Sequence, residues 1–412
     1  MTRWLVVGGG SAGCVVAARL SEVPSNEVAL LEAGPDHGTG IGLPGEPVLD
    51  RPSLLAPRTL VVRRHGLAPQ TYAQGSGLGG SSLVNGGVII GDPADAGEGH
   101  ALPVEPVTDP GPVATAVLAA TGDASAVSVV RRGSRRVSAA DAYLRPVLAR
   151  ENLSVVCDTV VERVVFDGRR AVGVVTRSGD ELDADCVVLC AGAIRTPTML
   201  LRSGVDTPGV GLGVQDHVGV AVSFDLREPV DDVVAIGASV ERPGRQIVVM
   251  DRIPGRPEMG AVIAGRLAVE SEGRVSLPDP DGPPLVELNQ LSSAADLDGL
   301  ALVVTEALAL LRSPSLQSVI GERYVDRQGT PASTLEGDDD ALRAWLPSNL
   351  GGYHHVAGSC RIGTVLDRRG AVLGYEALFV ADASALAGGP PRNLYATVIR
   401  QAESLTRSWV DA

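Results

Sequence analysis

The chain has 412 residues, 44% of them hydrophobic and 20% charged, which is enough to bury a large core in two or three domains. A net charge of −14 spread along the sequence argues against a nucleic-acid partner or an anionic membrane surface, and no uncharged apolar stretch reaches the roughly 18 residues that span a bilayer. Every basic side chain except histidine is arginine, so Schiff-base, pyridoxal-anchor and Walker-lysine chemistry is excluded.

The apolar run Trp4 to Val7 predicts a strand, and Gly8-Gly9-Gly10-Ser11-Ala12-Gly13 follows it directly. An Ala-rich helix to Leu20 comes next, then a second strand, Val28 to Leu31, ending in Glu32. This is the order of a dinucleotide-binding βαβ unit. Gly8 makes the tight turn, Gly10 lets the backbone approach a pyrophosphate, and Gly13 lets the helix pack against the strand. The helix N-terminus, from Ser11, offers free N–H groups and a positive dipole end to the phosphates. Glu32 sits where a carboxylate accepts from ribose hydroxyls. A secretory signal fails as a reading, since Arg3 is its one basic residue and glycines break the apolar run.

A Pro/Gly-rich connection leads to a second glycine-dense segment, Gly75 to Gly87. Residues 92 to 112 read as loop, and Val113 to Ala120 as a short helix. Strand character returns at 153–156, 160–166 and 171–177, and the continuous apolar run Cys186 to Cys190 predicts a central parallel strand leading into a helix. Residues 219 to 291 alternate apolar and polar between turn signals, as in an antiparallel sheet. Ala294 to Leu311, Asp339 to Leu346 and Leu394 to Trp409 read as helices, with an Asp cap expected in the acidic run Glu336 to Asp340. The expected architecture is α/β: a Rossmann-like dinucleotide-binding domain with an inserted α+β substrate domain built on an antiparallel sheet. Its ranges are 1–92, 134–218 and 351–412 for the first, 219–350 for the second, and 93–133 for a truncated, loop-like cover. Five cysteines without a CxxC pair point to a reducing cytoplasm, and no His/Cys/Asp cluster has metal-ligand spacing.

Four blocks, in order, resemble the glucose–methanol–choline (GMC) flavoprotein oxidoreductases. They are Gly8 to Gly13 with Leu31 to Gly34; Gly77 to Ser82 through Asn85-Gly86; Cys190 to Pro197 through Ser203-Gly204, followed by Gly213 through Asp216-His217; and His355 to Gly363, with Val380 to Ser384, Asn393 and Thr397. The resemblance implies FAD as the nucleotide. Gly8, Gly10, Gly13 and Glu32 would hold its ADP half, Val160 would lie near the adenine, Ser81, Ser82, Asn85 and Gly86 would line the isoalloxazine, and Asp382 would sit near the ribityl and pyrophosphate. No His or Cys occurs between Gly75 and Gly87, so the FAD is expected to be non-covalent.

The resemblance further implies alcohol oxidation, with hydride passing to flavin N5 and a histidine base taking the hydroxyl proton. His355 is that histidine by its register against Gly358, with His354 as the competing candidate. Asn393 would orient the substrate oxygen through its amide. The final helix, starting at Leu394, would point its N-terminus at the flavin pyrimidine. His217 reads as structural and Cys360 as a packed thiol. The partners implied are an alcohol, small or bulky and carrier-bound, and an electron acceptor, oxygen or another. The competing functions are a cyanohydrin lyase that binds FAD without redox turnover and a degenerate flavin-binding protein. The chain is short for the family, which predicts an open flavin face or one closed by a partner.

Overall fold

In the computed structural model, residues 1–410 are described apart from 49, 58, 98 and 232. The apolar run predicted as the first strand forms Thr2–Val7, and it lies at the centre of a five-stranded parallel sheet. Its neighbours are Asn26–Leu31 on one side and Cys186–Leu189 on the other, with Leu153–Val156 and Leu378–Val380 at the edges. Val187, Val188 and Leu189 are fully buried, because helices and a second β layer cover both faces, as a continuous apolar strand demands. One face carries the helices Ser11–Leu20 and Leu394–Val410, packed through Val15, Ala18, Ile399, Ala402 and Trp409. The other carries the antiparallel strands Val161–Asp167, Arg170–Thr176 and Glu181–Asp183 together with the helix Gly192–Arg202.

The alternating region forms the antiparallel sheet expected of it. Val218–Leu226, Ile236–Arg242, Arg245–Met250 and Met259–Arg266 are its central strands, and Ile320–Tyr324 pairs at one side. Pleating sends Val220, Val222 and Phe224 to a core shared with the helix Ala294–Leu311. The alternate residues, Ala221 and Ser223, face the other way. The registers set them in two cross-sheet rows, Ala221–Ile263–Val248 and Ser223–Ala261–Met250–Ile236. The predicted Asp cap is Asp338, which accepts from Ala341 N at 2.9 Å at the start of Asp339–Trp345.

Two expectations are corrected. The 93–133 segment is not a loop with one helix. Besides the helix Pro112–Ala120 it contains the strands Val104–Pro106, Ala124–Ala126 and Ser128–Arg132, and Ala124–Ala126 pairs with Ile236–Arg242 in the antiparallel sheet. Strands of three residues are too short to show a period of two in the sequence. Nor does the inserted range separate cleanly from the amino-terminal one. Gly273–Ser276 and Leu285–Glu287 join a different sheet, in which Leu285–Glu287 runs parallel to Thr59–Val62.

Candidate active site

The carboxyl ends of the parallel strands open onto a cavity of about 1950 Å³, whose far wall is the Ala221/Ser223 face of the antiparallel sheet. Such a crevice is where an open α/β sheet binds ligands. Gly8 has φ +102°, and a Cβ there would lie 2.6 Å from the Cys190 carbonyl oxygen. A Cβ on Gly13 would lie 1.8 Å from the Gly8 oxygen, so this contact is closed to every other residue type. Gly10 and Ser11 line the cavity, and no side chain caps the helix that starts there. Its free N–H groups are thus presented to an anion.

Glu32 is buried at the cavity edge. One carboxylate oxygen accepts from Gly9 N at 2.7 Å and the other from Gly34 N at 2.9 Å and Gly77 N at 3.2 Å. Burial pushes its carboxyl above the ordinary value while the three backbone donors pull it back. Asp382 also reaches the cavity, but its carboxylate is committed to the chain. It accepts from Gly192 N, Thr196 Oγ1, Ser384 N and Ser384 Oγ, and so fixes the start of the Gly192–Arg202 helix. Gly192 itself has φ +85° and open space where a Cβ would be. These features fit a dinucleotide cofactor: bare glycine backbone, an uncapped helix end and a fixed carboxylate in one continuous crevice.

Ser81, Asn85, Gly86 and Val160 line the same cavity. Both Asn85 Oδ1 lone pairs are used, by Arg136 Nη2 and Gly87 N. Ser82 departs from expectation. Its hydroxyl donates to the Gly79 oxygen and accepts from Ala139 N, so it braces the turn from behind rather than lining the cavity. In the helical turn Gly80–Leu83, neighbouring side chains point to different sides, which the linear motif does not reveal.

His355 and Asn393 both reach the cavity wall. Asn393 Nδ2 donates to Gln246 Oε1 at 3.1 Å, which fixes its amide just before the final helix. Leu394 and Tyr395, at the start of that helix, line the cavity too. His354 lies at the wall with φ +60° and its ring 4.8 Å from that of Tyr72.

The sequence reading missed what stands behind His355. Asp216 Oδ1 accepts from the His355 backbone N at 2.8 Å, and His217 Nδ1 lies 2.9 Å from His355 Nδ1. His217 Nε2 lies 2.9 Å from the Pro390 oxygen. Burial, offset in part by Arg63, pushes the Asp216 carboxyl up to about 6. Burial brings His217 down to about 4 and His355 well below the ordinary imidazole range, so both rings are neutral at pH 7. The signal available was the Asp216-His217 pair itself, but its contact with His355 spans 138 residues.

Profiles of the GMC oxidoreductase family match residues 118–219 and 269–402. A GMC-type oxidoreductase of Rhodococcus erythropolis is 31% identical over 97% of this chain and 96% of its own length. That alignment spans 504 residues against a chain of 412, so the relative carries segments that have no counterpart here. An oxygen-dependent choline dehydrogenase of Burkholderia multivorans is 28% identical over 98% of this chain and 92% of its own length. Among solved structures, pyridoxine 4-oxidase from Mesorbium loti superposes with a TM-score of 0.86 at 23% identity, covering both chains fully. A fungal aryl-alcohol oxidase superposes with a TM-score of 0.81 at 18% identity, covering 100% of this chain and 99% of its own. The chain belongs to the GMC oxidoreductase family and is an FAD-type oxidoreductase acting on CH–OH donors.

Proposed function

We propose that the protein oxidises an alcohol to a carbonyl, with His355 Nε2 as the base for the hydroxyl proton and the Asn393 amide orienting the substrate oxygen. FAD, when bound, supplies the hydride acceptor. The observation that supports this reading is that His355 and Asn393 both line the cavity that Gly8, Gly10, Glu32 and Asn85 line. A neutral imidazole is the form that accepts a proton, and burial keeps His355 in that form. Gly8, Gly10, Ser11 and Glu32 would hold the nucleotide half, with Asn85 and Gly86 beside the ring. No His or Cys stands in Gly75–Gly87, so FAD is held by contacts alone, and acid precipitation is expected to release it into the supernatant.

The side chains of Ala221, Ser223 and Ala261 on the far wall are small, which supports a wide alcohol over a methanol-sized one. The choline dehydrogenase and pyridoxine oxidase relatives support alcohols as the substrate class. The test is anaerobic mixing of the yellow protein with an alcohol series of graded width. Bleaching of the flavin absorbance by wide alcohols is the expected result. Product without bleaching, or no response across the series, overturns the reading.

A further inference from the structure

His217 has no exposed surface and does not line the cavity, so it cannot touch substrate. It is nevertheless bound at both ring nitrogens, to groups of different kinds. The Pro390 carbonyl is purely an acceptor, so the nitrogen facing it, Nε2, must carry a hydrogen. A neutral imidazole has one N–H, and His217 Nδ1 is then a bare acceptor. The 2.9 Å contact to His355 Nδ1 therefore requires the hydrogen to sit on His355 Nδ1. His355 has one N–H as well, so its Nε2 is left without a proton. Among the described residues nothing bonds that nitrogen, and His355 lines the cavity.

We infer that His217 is a positioning residue that sets the tautomer of His355, so that the carbonyl of Pro390 dictates, two bonds away, which nitrogen of His355 is free to take a proton. This inference rests on His355 being the base. The dipeptide Asp216-His217 grips His355 at two points, Asp216 at the backbone N and His217 at the ring. Gln215, one residue earlier, accepts from Gly389 N at 2.8 Å and so holds the Pro390 loop to the same strand entry. The proton balance is simple. As the substrate O–H bond breaks, the proton bonds to His355 Nε2 and His355 becomes cationic. His217 stays neutral, with its Nδ1 lone pair on the cation's Nδ1–H. A carboxylate does the same work behind the histidine of a hydrolase triad. Here a neutral ring does it.

The experiment uses flavin-loaded protein with ¹⁵N-labelled histidine. Nitrogen shifts of the resting wild type are expected to show His355 protonated at Nδ1 and His217 at Nε2. The opposite assignment for either ring overturns the inference before any turnover is measured. His217→Leu removes both bonds, and His217→Asn can restore the acceptor facing His355 Nδ1 through Oδ1. The leucine variant is expected to lose kcat by about 10- to 100-fold with KM within about twofold, while asparagine recovers most of it. Equal activity of wild type and His217→Leu, with His355→Ala inactive, sinks the tautomer role and leaves His355 as base. An active His355→Ala sinks the base reading itself.

Discussion

The two walls of the cavity are built on opposite principles. The nucleotide wall works through backbone: Gly8 and Gly13 bring the main chain close, and Glu32 and Asp382 accept from backbone N–H groups. The far wall works through side chains, two rows of small and aliphatic residues on one face of an antiparallel sheet. At Gly8 and Gly13 this wall tolerates no substitution, because an added Cβ would overlap the Cys190 and Gly8 carbonyl oxygens. A side-chain wall can be re-shaped residue by residue. The glycine wall is therefore fixed by fold and the sheet wall by composition, and His355 and Asn393 line the cavity between them.

The contrast can be broken at four places. His355→Ala is expected to cut kcat by about 100- to 10,000-fold, the range of a lost general base, with flavin still bound. Stopped-flow reduction of the flavin reads it, and loss of flavin along with rate would mean the residue belongs to the nucleotide wall instead. Glu32→Ala leaves the Gly9, Gly34 and Gly77 donors without an acceptor and is expected to weaken FAD binding by about 10- to 100-fold. Fluorescence titration of the apoprotein measures this, and kcat at saturating FAD should hold. Asp251→Ala probes the other layer. Asp251 Oδ1 accepts from Val113 N at 2.8 Å and Ala114 N at 3.0 Å, tying the Pro112–Ala120 helix to the antiparallel sheet. The expected cost is about 1–3 kcal/mol in denaturant unfolding, with FAD affinity unchanged. The smallest effect belongs to Ala221→Phe, which raises the far wall. KM for a wide alcohol should rise by about tenfold while that for a narrow one stays put. Equal changes for both would show that Ala221 lies outside the substrate path.

Much of this was legible from the residues. Local signals placed the elements: the apolar run at Cys186–Leu189, the Asp338 cap, the helix Ala294–Leu311, and the glycines whose backbone conformations admit nothing else. Legibility failed where pairing is long-range or elements are short. His217 read as a structural histidine because His355 lies 138 residues away, and Gln246 was passed over because Asn393 lies 147 residues away. Ser82 was misplaced because a tight helical turn separates side chains that are adjacent in the motif. The three-residue strands of the 93–133 segment carry too little pattern to be seen at all.

The pairing of the helix Ser11–Leu20 with Leu394–Val410 has a consequence for biosynthesis. The first helix is translated well before the Leu394–Val410 helix whose surface it buries. Its apolar flank therefore lacks this cover until that helix has been made, a long window for association with other nascent chains or for chaperone capture. Ribosome-bound intermediates halted before residue 394 are expected to take up no flavin, because Leu394 and Tyr395 are still missing from the crevice.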